Sequence, residues 1–298
     1  MGRSSAAPDI SIVCIFYNMR REARRTLATL SRPYQQNVDH LPYEVLVVDN
    51  GSSLPLDADW VESQGEEFKY YYFETTSPSP VEAINWAVDQ CHSDNVVIMI
   101  DGARMLSPGV LAGFSMATRM FDNPFAYTVG FHIGEELQNI SLTKGYNQDV
   151  EDRLLAGSGW EKDGYQLFEV SCLAASALRG YFGYLTESNC FLIKKSTFLK
   201  LNGMLSSFTT PGGGLVNLDF FQRASRFSGI VPVLLLGEGS FHQFHGGVAT
   251  NVAMEQHPNH VYQDEYKSIY GAPFSADPDQ QPFYLGKLNN HARKFAFV

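Results

Sequence analysis

Short apolar runs alternate with amphipathic segments along the N-terminal part of the chain. The runs Ile10–Phe16 (ISIVCIF) and 96–100 (VVIMI) are nearly all apolar and rich in β-branched residues, which is typical of strands buried on both faces of a parallel sheet. Two more strands are predicted at 43–48 and at Phe68–Phe73. Helices are predicted at 18–30, 81–91 and 109–121. This alternation predicts an α/β fold, with a Rossmann-like, mostly parallel sheet flanked by helices.

The pattern is less regular after Pro108. The stretch 127–178 mixes glycine, aromatic and acidic residues, and it predicts no definite order of elements. Further on, the sequence predicts strands at 190–193 and 231–236 and helices at 195–201, 218–227 and 262–270. Because no repeat or flexible linker divides the chain, we expect a single two-lobed domain. Its predicted parts are a domain over 1–250, with lobes at 10–125 and 126–250, and a C-terminal extension at 251–298.

The composition of the chain limits the kinds of molecule it is expected to bind and the compartment in which it is expected to lie. The 298 residues carry a formal net charge of −10, which argues against nucleic acid, because that binding draws on clustered Lys and Arg. The four cysteines form no CxxC pair, which favours a reducing compartment over a disulfide or zinc framework. No apolar run approaches the ~18 residues of a membrane span. We therefore predict a cytoplasmic protein, or one peripheral at the membrane, with no transmembrane segment.

Polar residues directly follow three of the predicted strands. They are Tyr17 and Asn18 after the first strand, Asp49 and Asn50 after the second, and Asp101 after the fourth. Ligands of open α/β sheets bind at the carboxyl ends of the strands. These positions are therefore predicted to line a ligand site.

Four motifs occur in the order and spacing of a known family. They are ISIVCIFYN with VLVVDNGSS, then AINWA, VVIMIDGARMLSPG and TTPGGGLVNLDFFQRA. With them the chain resembles the family-2 glycosyltransferases of the GT-A fold. The resemblance implies a nucleotide-binding lobe at 10–125, where Tyr17 and Asn18 belong to the donor site, and an acceptor lobe at 126–250.

The resemblance also implies an activity. It is the transfer of a hexose-type sugar, with inversion, from a nucleoside-diphosphate sugar to a saccharide or lipid-linked saccharide acceptor, in polysaccharide or glycoconjugate biosynthesis. By the same resemblance Asp49 contacts the nucleotide base, since a carboxylate accepts hydrogen bonds from base N–H groups; the alternative is a simple DNG turn. Asn85 of AINWA is predicted to contact the nucleotide or to hold the Asp101 loop, unless it is only a polar position on a helix face.

The segment VVIMIDGARMLSPG is similar to the strand and DxD loop of the family, with Asp101 at the first acid and Ala103 at the second. In the family the second acid binds the divalent metal that neutralises the diphosphate, and alanine has no ligand atom. Three alternatives follow. Other groups hold the metal, which would be manganese or magnesium; cationic side chains replace the metal; or the chain is a non-catalytic version of the family. Arg104 is the candidate cation for the diphosphate, unless it points into solvent.

The segment GEGSFHQFHGG places His242 and His245 three residues apart after an apolar strand. Some GT-A enzymes complete the metal site with a C-terminal histidine. The resemblance therefore implies that this pair joins Asp101 and compensates for Ala103, and imidazole is an acceptable ligand for manganese. The alternative is a structural pair of histidines.

The last motif is similar to the GGEDxDLxxR segment of the family, with Asp219 at its last acid. Val216 and Asn217 replace the acidic pair that usually supplies the catalytic base. An inverting transfer needs a carboxylate that accepts the proton of the acceptor hydroxyl, so Asp219 is the local candidate. The alternative is that Asp219 is the N-cap of the following helix.

Two other functions stay open at this point. The lost acids favour a non-catalytic nucleotide-sugar-binding module, whereas a nucleotidyltransferase ranks lower because FYNMRR lacks a glycine-rich phosphate loop. Four arginines of the first helix are predicted to form a solvated face, with the first two close enough to approach the donor. They are Arg20, Arg21, Arg24 and Arg25.

Overall fold

The computed structural model describes residues 7–276 and 281–297. Within these ranges the strands form one sheet, and helices pack on both of its faces. The strands are β1 (Ile10–Phe16), β2 (Tyr43–Asn50), β3 (Phe68–Phe73), β4 (Asn95–Met99), β5 (Arg104–Leu106), β6 (Pro124–Ile133), β7 (Ser171–Leu173), β8 (Cys190–Lys194), β9 (Val231–His242) and β10 (Phe283–Gly286). The α-helices are α1 (Arg20–Leu30), α2 (Ala58–Glu62), α3 (Val81–Gln90), α4 (Val110–Met120), α5 (Gln138–Ser141), α6 (Gln148–Ser158), α7 (Lys195–Lys200), α8 (Val216–Ser225) and α9 (Asn259–Tyr270).

The sheet is mostly parallel. Its strand order is β10-β9-β6-β8-β4-β1-β2-β3, with β5 paired to β9 and β7 paired to β6. Strands β4, β1, β2 and β3 run parallel to one another, as do β6, β9 and β10. Between the two groups β8 is antiparallel to both of its neighbours. The predicted α/β fold, with a mostly parallel sheet flanked by helices, is confirmed.

Strand β1 shows why the sheet is buried on both faces. Successive side chains of a strand point to opposite faces. Ile12 and Cys14 pack in an apolar cluster with α1 and α4, whereas Val13 and Ile15 pack in a second cluster with α3. All seven residues of the strand are buried, so the apolar run predicted its position correctly.

The main departure from the sequence prediction lies in the stretch 127–178. It contains most of β6, a ten-residue strand that is buried along its whole length, and the helix α6. Strand β6 pairs with β8 and β9, which lie far along the chain. Its stability therefore comes from partners that a local pattern does not reveal.

Strand β9 runs to His242, beyond the end predicted at 236. The glycines of GEGS indicate a turn, but Gly237 is an irregularity inside the strand, with a φ of 78°. A Cβ there would lie 2.2 Å from the backbone oxygen of Lys287, so glycine is required. The extra residues place His242 opposite Arg104 of β5.

Described residues beyond 250 share this core. Strand β10 pairs with β9, Ala292 is fully buried, and the ring of Phe295 lies 5.0 Å from that of Phe131. No helix in the two described ranges combines the length and apolarity that crossing a membrane requires.

Glu238, on β9, joins this strand to the start of α4. Its carboxylate accepts hydrogen bonds from Ser107 Oγ at 2.5 Å, from the Gly109 backbone N–H at 3.0 Å and from the Tyr165 hydroxyl at 2.9 Å. Burial raises the pKa of Glu238 to about 7, although these three donors oppose the rise.

This raised pKa predicts a pH-dependent stability. Between about 4.5 and about 7 the folded chain keeps a proton that the unfolded chain releases, so the free energy of unfolding falls as pH rises through that window. Glu238→Gln should remove this fall and make the variant more stable than the wild type above neutral pH, by on the order of 1–3 kcal/mol. Urea unfolding on both sides of the window measures the effect. The exposed Glu82→Gln serves as control, and an unchanged pH slope in Glu238→Gln would rule the assignment out.

Candidate active site

The polar residues predicted to line a site lie at one edge of the sheet, because β4, β1 and β2 are parallel neighbours. The Asn18 backbone N–H donates to Ser52 Oγ at 2.7 Å, and Asn18 Oδ1 accepts from the Leu54 N–H at 3.1 Å. These bonds join the loops that follow β1 and β2, and they hold Asn18 at a φ of 53°. Tyr17, next to it, is 55% exposed and open to a planar ligand.

Asp49 organises the loop after β2. It is buried, and its two carboxylate oxygens accept from the backbone N–H groups of Ser52 at 3.0 Å and Leu56 at 2.9 Å. The neighbouring Asn50 is also buried, and its Oδ1 has no hydrogen-bond partner among the described residues. Base recognition by Asp49 stays a prediction, and Asn50 offers a second polar atom at the same strand end.

Asn85 does not hold the Asp101 loop. Its Nδ2 donates to the Met204 carbonyl at 2.8 Å, and its Oδ1 accepts from the Met204 N–H at 3.0 Å. The side chain therefore fixes α3 to the loop after α7. Contact with a nucleotide stays a prediction for this residue.

Asp101 and the two predicted histidines form a compact cluster. Asp101 Oδ2 lies 3.0 Å from His242 Nε2 and 3.6 Å from His245 Nε2, and the two Nε2 atoms are 3.1 Å apart. The three candidate ligand atoms lie within 4.8 Å of one another. Residues distant in sequence thus converge as the motif comparison predicted.

Gln138 and Asn251, which belong to none of the predicted motifs, orient this cluster. Gln138 Oε1 accepts from Asn251 Nδ2 at 2.8 Å, and its Nε2 donates to the His242 carbonyl at 3.0 Å. With the amide fixed in this way, His242 Nδ1, 2.9 Å from Gln138 Oε1, carries the proton. The His242 Nε2 lone pair therefore faces Asp101, an arrangement typical of metal-ligating histidines.

The charges in the cluster favour a bound cation. Burial and the nearby Arg104 lower the pKa of His242 to about 4, against the opposing effect of Asp101. Burial alone would raise the pKa of Asp101, but His245 and His242 outweigh it and hold that pKa well below the ordinary value. An ionised carboxylate and an unprotonated imidazole nitrogen, 3.0 Å apart, are both acceptors, and a shared cation stabilises such a pair.

Arg104 brings a buried positive charge to the same place. It is 5% exposed, its Nε lies 3.8 Å from Asp101 Oδ2, and neither Nε nor Nη1 has a hydrogen-bond partner among the described residues. Burial lowers the pKa of Arg104, and the charges of Asp101 and Glu187 partly offset this. A guanidinium with unused N–H groups in a low-dielectric site is suited to binding a phosphate group. The alternative that Arg104 points into solvent is wrong.

Ala103 belongs to the core and not to the site. Its side chain is fully buried in the cluster that contains α1 and α4. Its backbone N–H donates to Asp101 Oδ1 at 3.0 Å, so the residue supports Asp101 through the main chain. No ligand atom is available at this position.

Asp219 lies within α8, whose N-cap is Leu215. The N-cap alternative for Asp219 is therefore wrong. The carboxylate is 2% exposed and accepts from Arg223 Nε at 2.7 Å and from the Tyr270 hydroxyl at 2.7 Å. Asp219 thus has one partner within α8 and one on α9, and its role as a base stays a prediction.

Arg20 and Arg24 of α1 are exposed, as predicted, whereas Arg21 and Arg25 are partly buried against α6. Arg21 bonds to Glu22 at 2.7 Å, to Asp152 at 2.6 Å and to the carbonyl of Phe244 at 3.2 Å, and Arg25 also pairs with Asp152. The prediction failed for Arg21 and Arg25 because α6, the partner helix, lies in the stretch whose order the sequence did not reveal. These contacts fix the segment that carries His245.

Gly102 sets the position of the Asp101 loop. Its N–H donates to the Ile15 carbonyl at 2.6 Å, and its carbonyl accepts from Thr26 Oγ1 at 2.6 Å. A Cβ at this residue would lie 2.4 Å from Phe16 Cδ1 and 2.6 Å from the Ile15 oxygen. There is no room for a larger residue between this loop and β1.

Gly102→Ala is therefore expected to destabilise the fold by about 1–3 kcal/mol, the usual cost of overpacking, and to displace Asp101. Urea unfolding gives the first effect and divalent-ion affinity the second. Gly157→Ala is the matched control, because a Cβ there meets nothing within 4 Å; this change within α6 should not lower the stability and should leave the divalent-ion affinity unchanged. Wild-type stability in Gly102→Ala would show that the loop is not constrained as described.

Comparison with known proteins agrees with this fold. The family model described as "Glycosyl transferase family 2" matches residues 11–157. The crystal structure of S. aureus TarS 1–349 aligns with a TM-score of 0.51 and 13% identity, over 79% of this chain and 60% of that one. S. aureus TarS aligns with a TM-score of 0.49 and 12% identity, over 79% of this chain and 36% of that one. TarS 1–349 in complex with UDP aligns with a TM-score of 0.48 and 14% identity, over 75% of this chain and 57% of that one. No curated protein sequence matches the chain.

The fold is that of the GT-A-type glycosyltransferases. With residues 11–157, which are 147 of its 298 residues, the chain matches the model of glycosyl transferase family 2. It spans about 60% of the TarS 1–349 structure, so its donor, acceptor and mechanism are matters for proposal.

Proposed function

We propose that the chain transfers a hexose-type sugar, with inversion, from a nucleoside-diphosphate sugar to a saccharide or lipid-linked saccharide acceptor, in the biosynthesis of a polysaccharide or glycoconjugate. One observation carries the proposal: the cluster of Asp101, His242 and His245 lies beside the buried guanidinium of Arg104, whose Nε and Nη1 have no hydrogen-bond partner among the described residues. The site thus combines three potential metal ligands with a cation, as a diphosphate leaving group requires.

The donor set fits a divalent ion. Asp101 Oδ2 and the Nε2 atoms of His242 and His245 would hold it, and Gln138 fixes the orientation of one imidazole. Two imidazoles favour manganese over magnesium, which prefers oxygen ligands. When bound, the ion supplies positive charge to the diphosphate.

The other residues at the sheet edge have separable roles. Arg104 donates its free N–H groups to the diphosphate and stabilises the charge that develops on it, usually the largest catalytic effect in such a site. Tyr17, Asn18 and Asp49 bind the base and ribose. Asn85 is a further candidate for contact with the nucleotide. Asp219 is the base predicted by the motif comparison.

A non-catalytic nucleotide-sugar-binding module is the second candidate. Ala103, buried in the core, and Asn217, in the place of an acid, favour it. This module would bind the donor without releasing the nucleoside diphosphate.

Thermal shift with a panel of UDP-, GDP- and dTDP-sugars, each with manganese, magnesium or EDTA, tests donor binding, because a ligand of the folded state raises the melting temperature. Nucleoside diphosphate release is then measured for every donor that stabilises the chain. We expect a metal-dependent shift followed by release. A shift without release would favour the binding module, and no shift with any donor would refute both candidates.

A further inference from the structure

Glu187 comes to the sheet edge that carries Asp101 because of the strand order. Strand β8 is antiparallel to β4, with Cys190 opposite Met99, and the Ile100 N–H donates to the Asn189 carbonyl at 3.4 Å. The residues just before β8 therefore run along the residues just after β4. Glu187 comes to the same sheet edge as the metal cluster, although no motif includes it.

Asn217 holds Glu187 in place. Asn217 is 6% exposed, and its Nδ2 donates to Glu187 Oε2 at 2.7 Å and to Asn189 Oδ1 at 3.3 Å. By the motif comparison Asn217 stands where the family has an acid. The structure thus has an amide at that position and a carboxylate directly bonded to it.

Glu187 also shares the electrostatic environment of the donor site. Its charge raises the pKa of Arg104, which burial lowers. The side chain is partly exposed, and no described residue donates a hydrogen bond to its Oε1. An acceptor hydroxyl has access to this oxygen, whereas both oxygens of Asp219 are engaged by Arg223 and Tyr270.

We propose that Glu187 is the catalytic base and that Asn217 is its positioning residue; the inference rests on the proposed transferase function. The Glu187 carboxylate accepts the proton of the acceptor hydroxyl as the hydroxyl oxygen forms a bond to the anomeric carbon. The bond from that carbon to the phosphate oxygen breaks, and its electron pair leaves with the nucleoside diphosphate. The proton on Glu187 then passes to solvent.

The test compares Glu187→Gln, Asp219→Asn and wild type in nucleoside diphosphate release, with the donor that wild type turns over and with p-nitrophenyl glycosides or water as acceptor. Loss of a general base lowers the rate by about 10²–10⁴-fold. We expect this loss in kcat for Glu187→Gln, with the KM for the donor and the thermal shift by the nucleoside diphosphate unchanged. The exposed Glu161→Gln is the matched control.

A second variant separates chemistry from structure. In Glu187→Ala, sodium formate should restore part of the release, because a small carboxylate can occupy the vacated space, whereas sodium chloride at equal ionic strength should not. Wild-type kcat in Glu187→Gln, or loss of kcat in a folded Asp219→Asn alone, would overturn the assignment to Glu187. If wild type itself binds no donor or releases no nucleoside diphosphate, the transferase proposal fails first, and the inference fails with it.

Discussion

Asp101→Asn should abolish divalent-ion binding and reduce sugar transfer by at least about 10³-fold, the equivalent of several kcal/mol of charge stabilisation. Asp101 supplies the only carboxylate of the described cluster, with Oδ2 at 3.0 Å from His242 Nε2. Asparagine keeps the shape of the side chain but removes the negative charge that offsets the positive charge of Arg104. The cluster then has an excess of positive charge and disfavours a metal ion.

Manganese affinity by calorimetry and kcat/KM by nucleoside diphosphate release measure this result. Asp89→Asn is the matched control, because Asp89 is exposed on α3 and belongs to no site. If Asp101→Asn binds manganese as wild type does, the metal ligands have been assigned incorrectly.

Arg104→Met should weaken nucleoside diphosphate binding and lower kcat by about 10²–10³-fold, the loss expected when one donor to a developing negative charge is removed. The same change should leave the free energy of unfolding unchanged or raise it. Arg104 is a buried charge whose Nε and Nη1 have no hydrogen-bond partner among the described residues, and an apolar side chain of similar length avoids the cost of burying that charge. Activity and stability should thus move in opposite directions.

Calorimetric titration with nucleoside diphosphates and urea unfolding measure the two effects on one preparation. Arg104→Lys keeps the charge but not the planar fork, so its affinity should lie between those of wild type and Arg104→Met. A strongly destabilised Arg104→Met with normal affinity would mean that the guanidinium is structural.

The donor half of the site was predictable because its signals are local. The apolar runs of β1, β2 and β4 each end in polar residues, and parallel pairing brings those ends together whatever the rest of the chain does. The resemblance to family 2 then associated His242 and His245 with Asp101. The cluster distances agree with that association.

The acceptor half was less predictable because its contacts are non-local. Strand β6 and helix α6 take their stability from partners far along the chain, and the positions of Gln138, Asn251 and Glu187 depend on that pairing. Motif alignment pointed to Asp219 as the acid nearest the lost pair. Helix α8 begins at Val216, before both residues. Asp219 accepts a hydrogen bond from Tyr270, and Asn217 donates one to Glu187.

We expect Asp101, His242, His245 and Arg104 to form a metal-dependent site for a nucleoside diphosphate. Calorimetric titration of the wild-type chain with UDP, GDP and dTDP, in manganese and in EDTA, measures this binding. At least one of the three should bind with one nucleotide per chain, and its affinity should be at least about tenfold weaker in EDTA, the size of effect that 1.4 kcal/mol produces. If none of the three binds in manganese, or if binding is equally strong in EDTA, the four residues do not form such a site.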